Sequence, residues 1–312
     1  DDADPARRLV IAPGDEIVVT RAEHHANLVP WQELAARTGA SLRWLDLTED
    51  GRIDPTTVRV ITERTRLLGL THASNVTGAI TPLVDILPAA RAVGALVVLD
   101  TCQSAAHLPL DFAALHAAGV DAMVLSSHKM LGPTGIGALV AAEELLEAMP
   151  PVLTGGSMIE VVRMESSTYM SGPARFEAGS QPLAQAAGWR TAVDYLSGLG
   201  MDRLHAGELD LMQRVLDGLA ALDGVRVLGP ADTRERLGVV AFTVDGVHPH
   251  DVGQVLDASG VAVRTGHHCA QPIHAHFSVS SSARVSFGVT TTAGEVDRFL
   301  EAAAGVRAYF QR

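Results

Sequence analysis

The sequence predicts an α/β protein in which a doubly wound, mainly parallel sheet forms a large domain and a smaller α+β domain follows it. Short, continuous apolar runs alternate with helical patterns through the first part of the 312 residues, and strands buried on both faces of a parallel sheet have this character. After about residue 182 the pattern changes to two long helical stretches in succession. We find no internal repeat and no long linker, so the two parts are expected to be directly joined.

The first part alternates strand and helix patterns. The apolar strand segments are 15–20 (DEIVVT), 66–72 (RLLGLTH), 95–101 (ALVVLDT) and 122–128 (AMVLSSH). Between them, PWQELAARTG (30–39) and LVDILPAARAVG (83–94) have helical patterns, and Pro88 is expected to kink or shorten the second helix. This alternation is typical of a parallel sheet, and we assign residues 1–193 to the large domain.

The second part begins with helices at 182–197 and 202–222. Strands are expected near 225–229, 239–244, 261–265 and 283–287. A last helix begins at Thr292, whose Thr-x-x-Glu spacing to Glu295 forms a capping box. We assign residues 194–312 to the smaller α+β domain.

The composition narrows the possible partners and surroundings. The net charge is −12 and no basic stripe is present, so nucleic acid is not a predicted partner. No apolar run has membrane-spanning length, and DDADPARR at the start lacks the pattern of a secretion signal, so we predict no membrane association. Two cysteines, Cys102 and Cys269, are too few for a disulfide framework and are typical of a reducing cytoplasm.

Lys129 is the only lysine in the sequence. Lysine and arginine together number 24, which leaves 24 − 1 = 23 arginines. A drift towards arginine accounts for the 23 but not for the exception. Lysine, unlike arginine, can lose its proton, act as a nucleophile and form a Schiff base, so we predict a chemical role for Lys129.

Polar residues follow four of the predicted strands. They are His24 and His25, Ser74 and Asn75, Asp100 and Gln103, and finally Ser126, His128 and Lys129. Because ligands of open α/β sheets bind beyond the carboxyl ends of the strands, we expect these side chains to form one site.

This set of residue types suits pyridoxal 5′-phosphate (PLP). That cofactor needs a lysine for its imine and an acid that keeps its pyridine nitrogen protonated, for which Lys129 and Asp100 are the candidates. Asn75 and Gln103 are candidates for hydrogen bonds to the ring oxygen. A histidine from positions 24–25 is a candidate for stacking on the ring.

A second chemical centre is predicted in VRTGHHCAQP (263–272). Cys269 follows a strand and lies close in sequence to two histidines and Arg264, a setting that favours the thiolate. A zinc site is the alternative, with ligands from His267, His268, Cys269, His274 and His276. Adjacent residues of an extended chain point to opposite faces, so His268 and Cys269 are not expected to bind the same metal ion. The spacing of these candidate ligands is also irregular, and zinc is therefore the weaker interpretation.

Six segments, in this order, resemble those of one enzyme family. They are AEHHANLVPWQELAARTGA, THASNVTG, LDTCQS, SSHKMLGPTGIG, RFEAGS and RTGHHCAQP. Together they resemble the SUF-type (group II) cysteine desulfurases, which belong to the class V aminotransferase family of fold-type I PLP enzymes. The similarity runs from about residue 13 to the end of the sequence.

The resemblance implies a cofactor role for several residues. Lys129 is the Schiff-base lysine, and His24 stacks on the ring. Asp100 pairs with the pyridine nitrogen, while Asn75 and Gln103 contact the ring oxygen.

Further residues are implied for the phosphate and the substrate. Ser126 and His128 contact the phosphate, and Ser180 contacts the phosphate of the partner subunit in a homodimer. Arg284 binds the carboxylate of the substrate, with Arg264 and Asn75 nearby.

The activity implied by the resemblance is the conversion of L-cysteine to L-alanine. Lys129 moves the α-proton, and Cys269 takes the sulfur as a persulfide. The sulfur then passes to an acceptor protein of the SUF system, for iron–sulfur cluster or other thio-cofactor assembly.

The sequence also departs from this family. Family members carry an additional N-terminal segment with a Thr-rich loop at a helix N-terminus, which cradles the cofactor phosphate. Residues 1–30 contain no equivalent, so the large domain is expected to lack its N-terminal portion here. RLVIAPGDEIVV begins in the middle of a helix-to-strand unit of the family, which favours a longer natural protein. Ser127 replaces a usual glycine.

Two other functions remain open at this point. One is a selenocysteine lyase, or another class V carbon–sulfur lyase or aminotransferase. GHHCAQP argues against an aminotransferase, which needs no cysteine there. The other is a non-catalytic PLP-fold scaffold for sulfur transfer, and the intact Lys129, Asp100 and Cys269 argue against it.

Overall fold

A computed structural model of the chain describes residues 9–310, and its larger sheet has six strands. These are β1 (Glu16–Thr20), β2 (Ser41–Leu45), β3 (Thr65–Thr71), β4 (Leu96–Asp100), β5 (Ala122–Ser126) and β6 (Gly137–Ala141). The strand order is β2-β1-β3-β4-β5-β6, in which only β6 runs antiparallel to its neighbour. The predicted mainly parallel sheet is therefore confirmed.

Helices connect these strands. They are α1 (Val29–Thr38), α2 (Leu83–Ala92), α3 (Phe112–Ala118) and α4 (Glu143–Ala148). Helix α1 ends where Gly39 takes the left-handed conformation, with φ +75°, and donates its N–H to the carbonyl of Ala35. Helix α2 contains Pro88 and ends at Ala92, two residues before the predicted end.

The sheet order reverses between β1 and β3. The chain leaves β1 to form β2 on one side and then returns to form β3 on the other side. All five residues of β1 are buried, so it lies in the centre of the core. Such a reversal opens a crevice at the carboxyl ends of the strands, where α/β proteins bind ligands.

A hairpin and two long helices follow the larger sheet. The hairpin consists of β7 (Ile159–Val162) and β8 (Ser167–Tyr169). Helices α5 (Leu183–Leu199) and α6 (Met201–Ala220) match the two predicted helical stretches and are separated by Gly200, at φ +87°.

The second sheet is antiparallel throughout, with the strand order β11-β12-β10-β9. Its strands are β9 (Val225–Leu228), β10 (Val239–Val244), β11 (Arg264–Gly266) and β12 (Ser282–Ser286). The last helices are α7 (Pro249–Ala258), α8 (Gln271–His276) and α9 (Ala293–Phe310).

Two predictions for this part have different outcomes. The capping box before α9 is confirmed, because Thr292 Oγ1 accepts from the Glu295 N–H at 3.3 Å and Glu295 Oε2 accepts from the Thr292 N–H at 2.8 Å. The strand predicted at 261–265 is mostly wrong, since β11 begins only at Arg264. Val261 follows Gly260, which has φ +75° and ends the turn after α7.

The two sheets are joined through the turn after β3. The Ile80 N–H donates to the carbonyl of Glu235 at 2.8 Å, and the Leu237 N–H donates to the carbonyl of Gly78 at 2.9 Å. Arg236 is fully buried and donates from Nε to the carbonyl of Thr77 at 3.0 Å. The turn that follows β3 is therefore fixed by residues of the second half of the chain.

No helix between residues 9 and 310 combines the length and the apolar character that a crossing of a lipid bilayer requires.

Candidate active site

The carboxyl ends of β1, β4 and β5 bring His24, Asp100 and Lys129 to one edge of the larger sheet. Asp100 is the last residue of β4, and Lys129 ends a short 3-10 turn directly after β5. The pKa of His24 is lowered, first by burial and then by the charge of Lys129, while Asp100 acts in the opposite direction. His24 Nδ1 accepts from the Ala26 N–H at 3.1 Å, which orients the imidazole ring.

Cys102 lies beside this group but is not a candidate nucleophile. Its Sγ is 3.2 Å from Ser126 Oγ, and its N–H donates to Asp100 Oδ1 at 2.9 Å. Burial, followed by the charge of Asp100, raises the pKa of Cys102 to about 11. A thiol with this pKa stays protonated and unreactive at neutral pH.

Glu23 anchors the segment that carries His24. Glu23 is 1% exposed and accepts from Thr20 Oγ1 at 2.7 Å, the Thr71 N–H at 2.8 Å and Asn27 Nδ2 at 2.7 Å. Burial raises the pKa of Glu23 to about 8. Sequence reasoning missed this residue, although it directly precedes His24 in the AEHHAN segment.

Cys269 lies in a loop between β11 and α8 that has an unusual backbone. His268 and Cys269 both have left-handed conformations, with φ of +53° and +58°. Such conformations are unfavourable for residues other than glycine and persist where the surroundings hold them. One of these contacts is the 2.6 Å hydrogen bond from Asn75 Nδ2 to the carbonyl of His268, which connects the loop to the edge of the larger sheet.

Two arginines lie next to Cys269. Arg264 and Arg284 face each other across β11 and β12, and Arg264 Nη2 lies 3.6 Å from Cys269 Sγ. Burial, followed by the charge of Arg264, lowers the pKa of Arg284 to about 10. Like charges opposite each other are unfavourable unless an anion lies between them, so this pair is a candidate carboxylate site.

Two buried polar atoms at the same place have no partner among residues 9–310. They are Arg284 Nε and Asn75 Oδ1. Arg284 Nη1 donates to the carbonyl of Asn75 at 2.9 Å, so both atoms belong to one cluster. A buried donor and a buried acceptor without partners are typical of a binding site whose ligand supplies the missing hydrogen bonds.

A histidine network supports the loop from inside. His268 Nε2 and His274 Nε2 lie 2.9 Å and 3.0 Å from Ser282 Oγ. His274 Nδ1 lies 2.9 Å from the carbonyl of Ala270 and must therefore carry a proton. Burial lowers the pKa of both histidines, that of His268 to about 3. These contacts bind the two imidazoles to the protein, and the described part of the chain contains no cluster of three or more His, Cys, Asp or Glu residues suited to a metal.

The residues at this edge fit PLP. Lys129 supplies the amine, Asp100 the carboxylate and His24 the ring that such a cofactor needs. Asn75 Oδ1 is a buried polar atom that no residue of the described chain satisfies. This oxygen can accept a hydrogen bond from a bound group.

Three predicted residues lie apart from these contacts. Gln103 is partly buried and directly precedes the 3-10 turn at 104–106. His128 is exposed in the turn before Lys129, and Ser180 is exposed in the segment between the hairpin and α5. Their cofactor roles remain predictions.

The chain matches the family described as aminotransferase class-V over residues 5–299. The probable cysteine desulfurase 2 of Mycobacterium leprae is 51% identical over 299 residues, which are 96% of this chain and 71% of that protein.

Solved structures show the same fold. The cysteine desulfurase CsdA of Escherichia coli, as its S-sulfonic acid, superposes with a TM-score of 0.91 at 36% identity, over 97% of this chain and 75% of CsdA. A mutant of C-DES with glycine covalently linked to its PLP cofactor superposes with a TM-score of 0.81 at 25% identity, over 96% of this chain and 78% of C-DES.

These similarities confirm the expected fold-type I architecture. The family match covers most of the sequence, and the relative from Mycobacterium leprae matches nearly the whole chain. The chain therefore belongs to the aminotransferase class-V family.

Proposed function

We propose that the protein is a PLP-dependent cysteine desulfurase that converts L-cysteine to L-alanine. One observation carries this proposal: His25, next to His24, donates its N–H to the carbonyl of Cys269 at 2.7 Å, so the cysteine loop lies against the sheet edge that carries His24, Asp100 and Lys129. The relationship to cysteine desulfurases supports it.

The cofactor would be held by residues at the edge of the larger sheet. Lys129 would bind it covalently, with Asp100 on the pyridine nitrogen and His24 against the ring. Asn75 and Gln103 would contact the ring oxygen. When bound, PLP stabilises negative charge at the α-carbon of an amino acid.

The phosphate would be held by Ser126 and His128. Both lie at the carboxyl end of β5, next to Lys129. Ser126 Oγ already lies 3.2 Å from Cys102 Sγ and could exchange that weak contact for a phosphate oxygen.

The protein side chains would bind the substrate and move its proton. Arg284, assisted by Arg264 and by Asn75, would bind the α-carboxylate, since the two arginines form a cationic pair with an unsatisfied N–H. Lys129 would move the α-proton.

Sulfur transfer would then occur at Cys269. The C–S bond of the substrate breaks while a bond forms between that sulfur and Cys269 Sγ, and the proton of the Cys269 thiol ends on the methyl group of alanine. In the overall reaction, one L-cysteine and the Cys269 thiol give one L-alanine and the Cys269 persulfide. Arg264 Nη2 lies 3.6 Å from Sγ, beside the atom that would receive the sulfur.

A homodimer is part of this proposal, because Ser180 would contact the phosphate in the partner subunit. Supporting it, more than half of the large exposed apolar side chains of the described chain lie between residues 152 and 195, among them Met164 at 96% and Leu183 at 76% exposure. Exposed apolar surface of this extent is typical of an interface.

The remaining expectations also belong to the proposal. The enzyme would be of the SUF type, act in the cytoplasm and pass its sulfur to a SUF acceptor protein for iron–sulfur cluster or other thio-cofactor assembly. The two unpaired cysteines are consistent with a reducing compartment. The domain division at residues 193 and 194 would fall inside α5.

Borohydride reduction of the natively purified protein tests the cofactor assignment. We expect a pyridoxyl adduct on the Lys129 peptide by mass spectrometry, and no adduct in Lys129→Arg, which keeps the charge but cannot form the bond. An unmodified Lys129 in the wild-type protein would contradict the proposal.

A single turnover with L-cysteine tests the reaction. We expect alanine together with a persulfide on the Cys269 peptide, and neither product in Cys269→Ser. Turnover of selenocysteine with no turnover of cysteine would instead identify a selenocysteine lyase. Alanine without a Cys269 persulfide would contradict the assigned nucleophile.

A further inference from the structure

His25 contacts the Cys269 loop on both sides of the cysteine. The N–H of His25 donates to the carbonyl of Cys269 at 2.7 Å. Its Nε2 accepts from the N–H of Gln271 at 3.0 Å, across a sequence separation of 246 residues. One residue shortly after β1 therefore binds the main chain at Cys269 and two positions beyond it.

The second contact fixes the role of the imidazole. A main-chain N–H can only donate, so Nε2 of His25 must be the unprotonated nitrogen and the ring proton lies on Nδ1. The contact therefore requires a hydrogen-bond acceptor at this position, and it does not require a side chain that can gain or lose a proton. Glutamine, whose Oε1 can reach a similar position, could supply the same acceptor.

His25 is itself held firmly. It directly follows His24 and lies two residues from Glu23, whose four hydrogen bonds to Thr20, Thr71 and Asn27 are buried. The His24 side chain caps the 3-10 turn that His25 begins. The contacts of His25 are therefore made from a segment that buried hydrogen bonds attach to the larger sheet.

The loop needs such support because of its backbone. His268 and Cys269 are consecutive left-handed residues without a glycine, a conformation that relaxes unless neighbours hold it. On one side, the carbonyl of His268 is held by Asn75 and its ring by Ser282. On the other side, the carbonyl of Cys269 and the N–H of Gln271 are held by His25.

We propose that His25 is a positioning residue that keeps the Cys269 loop in its left-handed conformation and so aims Sγ at the substrate sulfur. The inference rests on the proposed function, because Cys269 is the nucleophile in that reaction. It assigns no chemistry to His25 itself: the residue acts through the two main-chain contacts.

Peptide-resolved alkylation tests the effect on the loop. The PLP-loaded wild-type protein, His25→Ala, His25→Gln and the exposed-site control His250→Ala are treated with iodoacetamide, and an added small thiol of known reactivity serves as the reference. In His25→Ala we expect Cys269 to react about 2-fold to 10-fold faster, because one lost hydrogen bond changes a population by about this factor. His25→Gln and His250→Ala are expected to match the wild type.

Persulfide formation from bound cysteine should change in the opposite direction. In His25→Ala we expect its rate to fall by roughly 10-fold to 100-fold, since a small misplacement of a reacting group costs that much. KM for cysteine should stay within about 2-fold, because the arginines that bind the carboxylate are untouched. His25→Gln should restore the rate.

The proposal is overturned if His25→Ala forms persulfide as fast as wild type, or if His25→Gln is as impaired as His25→Ala. Parallel loss of bound PLP, seen in its absorbance, would also overturn it by indicating general damage. A wild-type protein that makes no persulfide would refute the proposed function instead. The alkylation result would still decide whether His25 holds the loop.

Discussion

His72 is a buried histidine that should make stability depend on pH. It is 9% exposed, and its Nδ1 lies 2.9 Å from Ser104 Oγ. Burial lowers its pKa from 6.5 to about 4. Between these pH values the unfolded chain binds a proton at His72 and the folded chain does not. The contribution of neutral His72 to the free energy of unfolding is therefore fully present above pH 6.5 and is lost as the pH falls towards 4.

We expect His72→Asn to remove this pH dependence. Asparagine can keep the contact to Ser104 but does not titrate. Between pH 7 and pH 5 the wild type should lose about 2 kcal/mol more unfolding free energy than the variant. Urea denaturation at both pH values measures this difference, with the exposed His250→Asn as control. Equal losses in wild type and His72→Asn would refute the prediction.

Among individual residues, the sequence predicts those whose side-chain type by itself indicates a chemical role. Lys129 is a lone lysine and Asp100 ends an apolar strand, so the sequence alone is enough to predict both as candidate site residues. The roles of Glu23 and His25 escape such reasoning, since they depend on contacts with Thr71 and with Gln271 far along the chain. The sequence suggests His274 only as a zinc ligand, whereas the residue supports the cysteine loop through Ser282.

Helix α1 and strand β3 are joined by one close contact. A Cβ atom at Gly69 would lie 2.3 Å from Trp31 Nε1, and that nitrogen also donates to Asn27 Oδ1 at 3.1 Å. Gly69 is therefore required so that Trp31 can approach β3 this closely and support the segment that carries His24.

We expect Gly69→Ala to destabilise the protein. The added methyl group must displace Trp31, and overpacking of this kind costs about 1–3 kcal/mol. Gly198→Ala is the matched control, because a Cβ there, inside α5, meets no atom within 4 Å and should stabilise the helix by up to about 1 kcal/mol. Thermal unfolding of both variants measures the opposite shifts. A Tm for Gly69→Ala at or above that of the wild type would contradict the assignment.

The sequence predicts the buried elements better than the marginal ones. Strand β10 is found at 239–244 as predicted, because its apolar run is continuous and almost wholly buried. Strand β2 is missed by the sequence pattern, since it lies at the edge of the sheet with only Leu45 buried. Strand β6 is missed too: its GALVA segment follows a glycine-rich turn and gains its strand conformation from pairing with β5.

Arg236 connects the two halves of the molecule. It is 0% exposed and donates to carbonyl oxygens of both halves: those of Thr77, Pro230, Asp232 and Val239. Burial lowers its pKa to about 10. Its hydrogen bonds satisfy main-chain oxygens from both halves, three of them in buried contacts.

We expect Arg236→Met to cost about 3 kcal/mol or more, because several buried carbonyl groups lose their donors at once. Arg234→Met is the matched control two residues away, where the side chain is 83% exposed and forms an ion pair with Asp232. Its cost should be below about 0.5 kcal/mol. Urea denaturation of both proteins makes the comparison, and similar midpoints would refute the role of Arg236.

The links between the two halves also determine when the site can form during synthesis. Asn75 and His25 lie in the first third of the chain, yet they contact His268, Cys269 and Arg284 near its end. A ribosome delivers the N-terminal residues first, and the strands of the larger sheet can begin to pair while translation continues. The proposed substrate site, however, is incomplete until Arg284 has left the exit tunnel. The residues proposed to bind the cofactor, up to Lys129, are therefore synthesised before the cysteine loop that completes the proposed site.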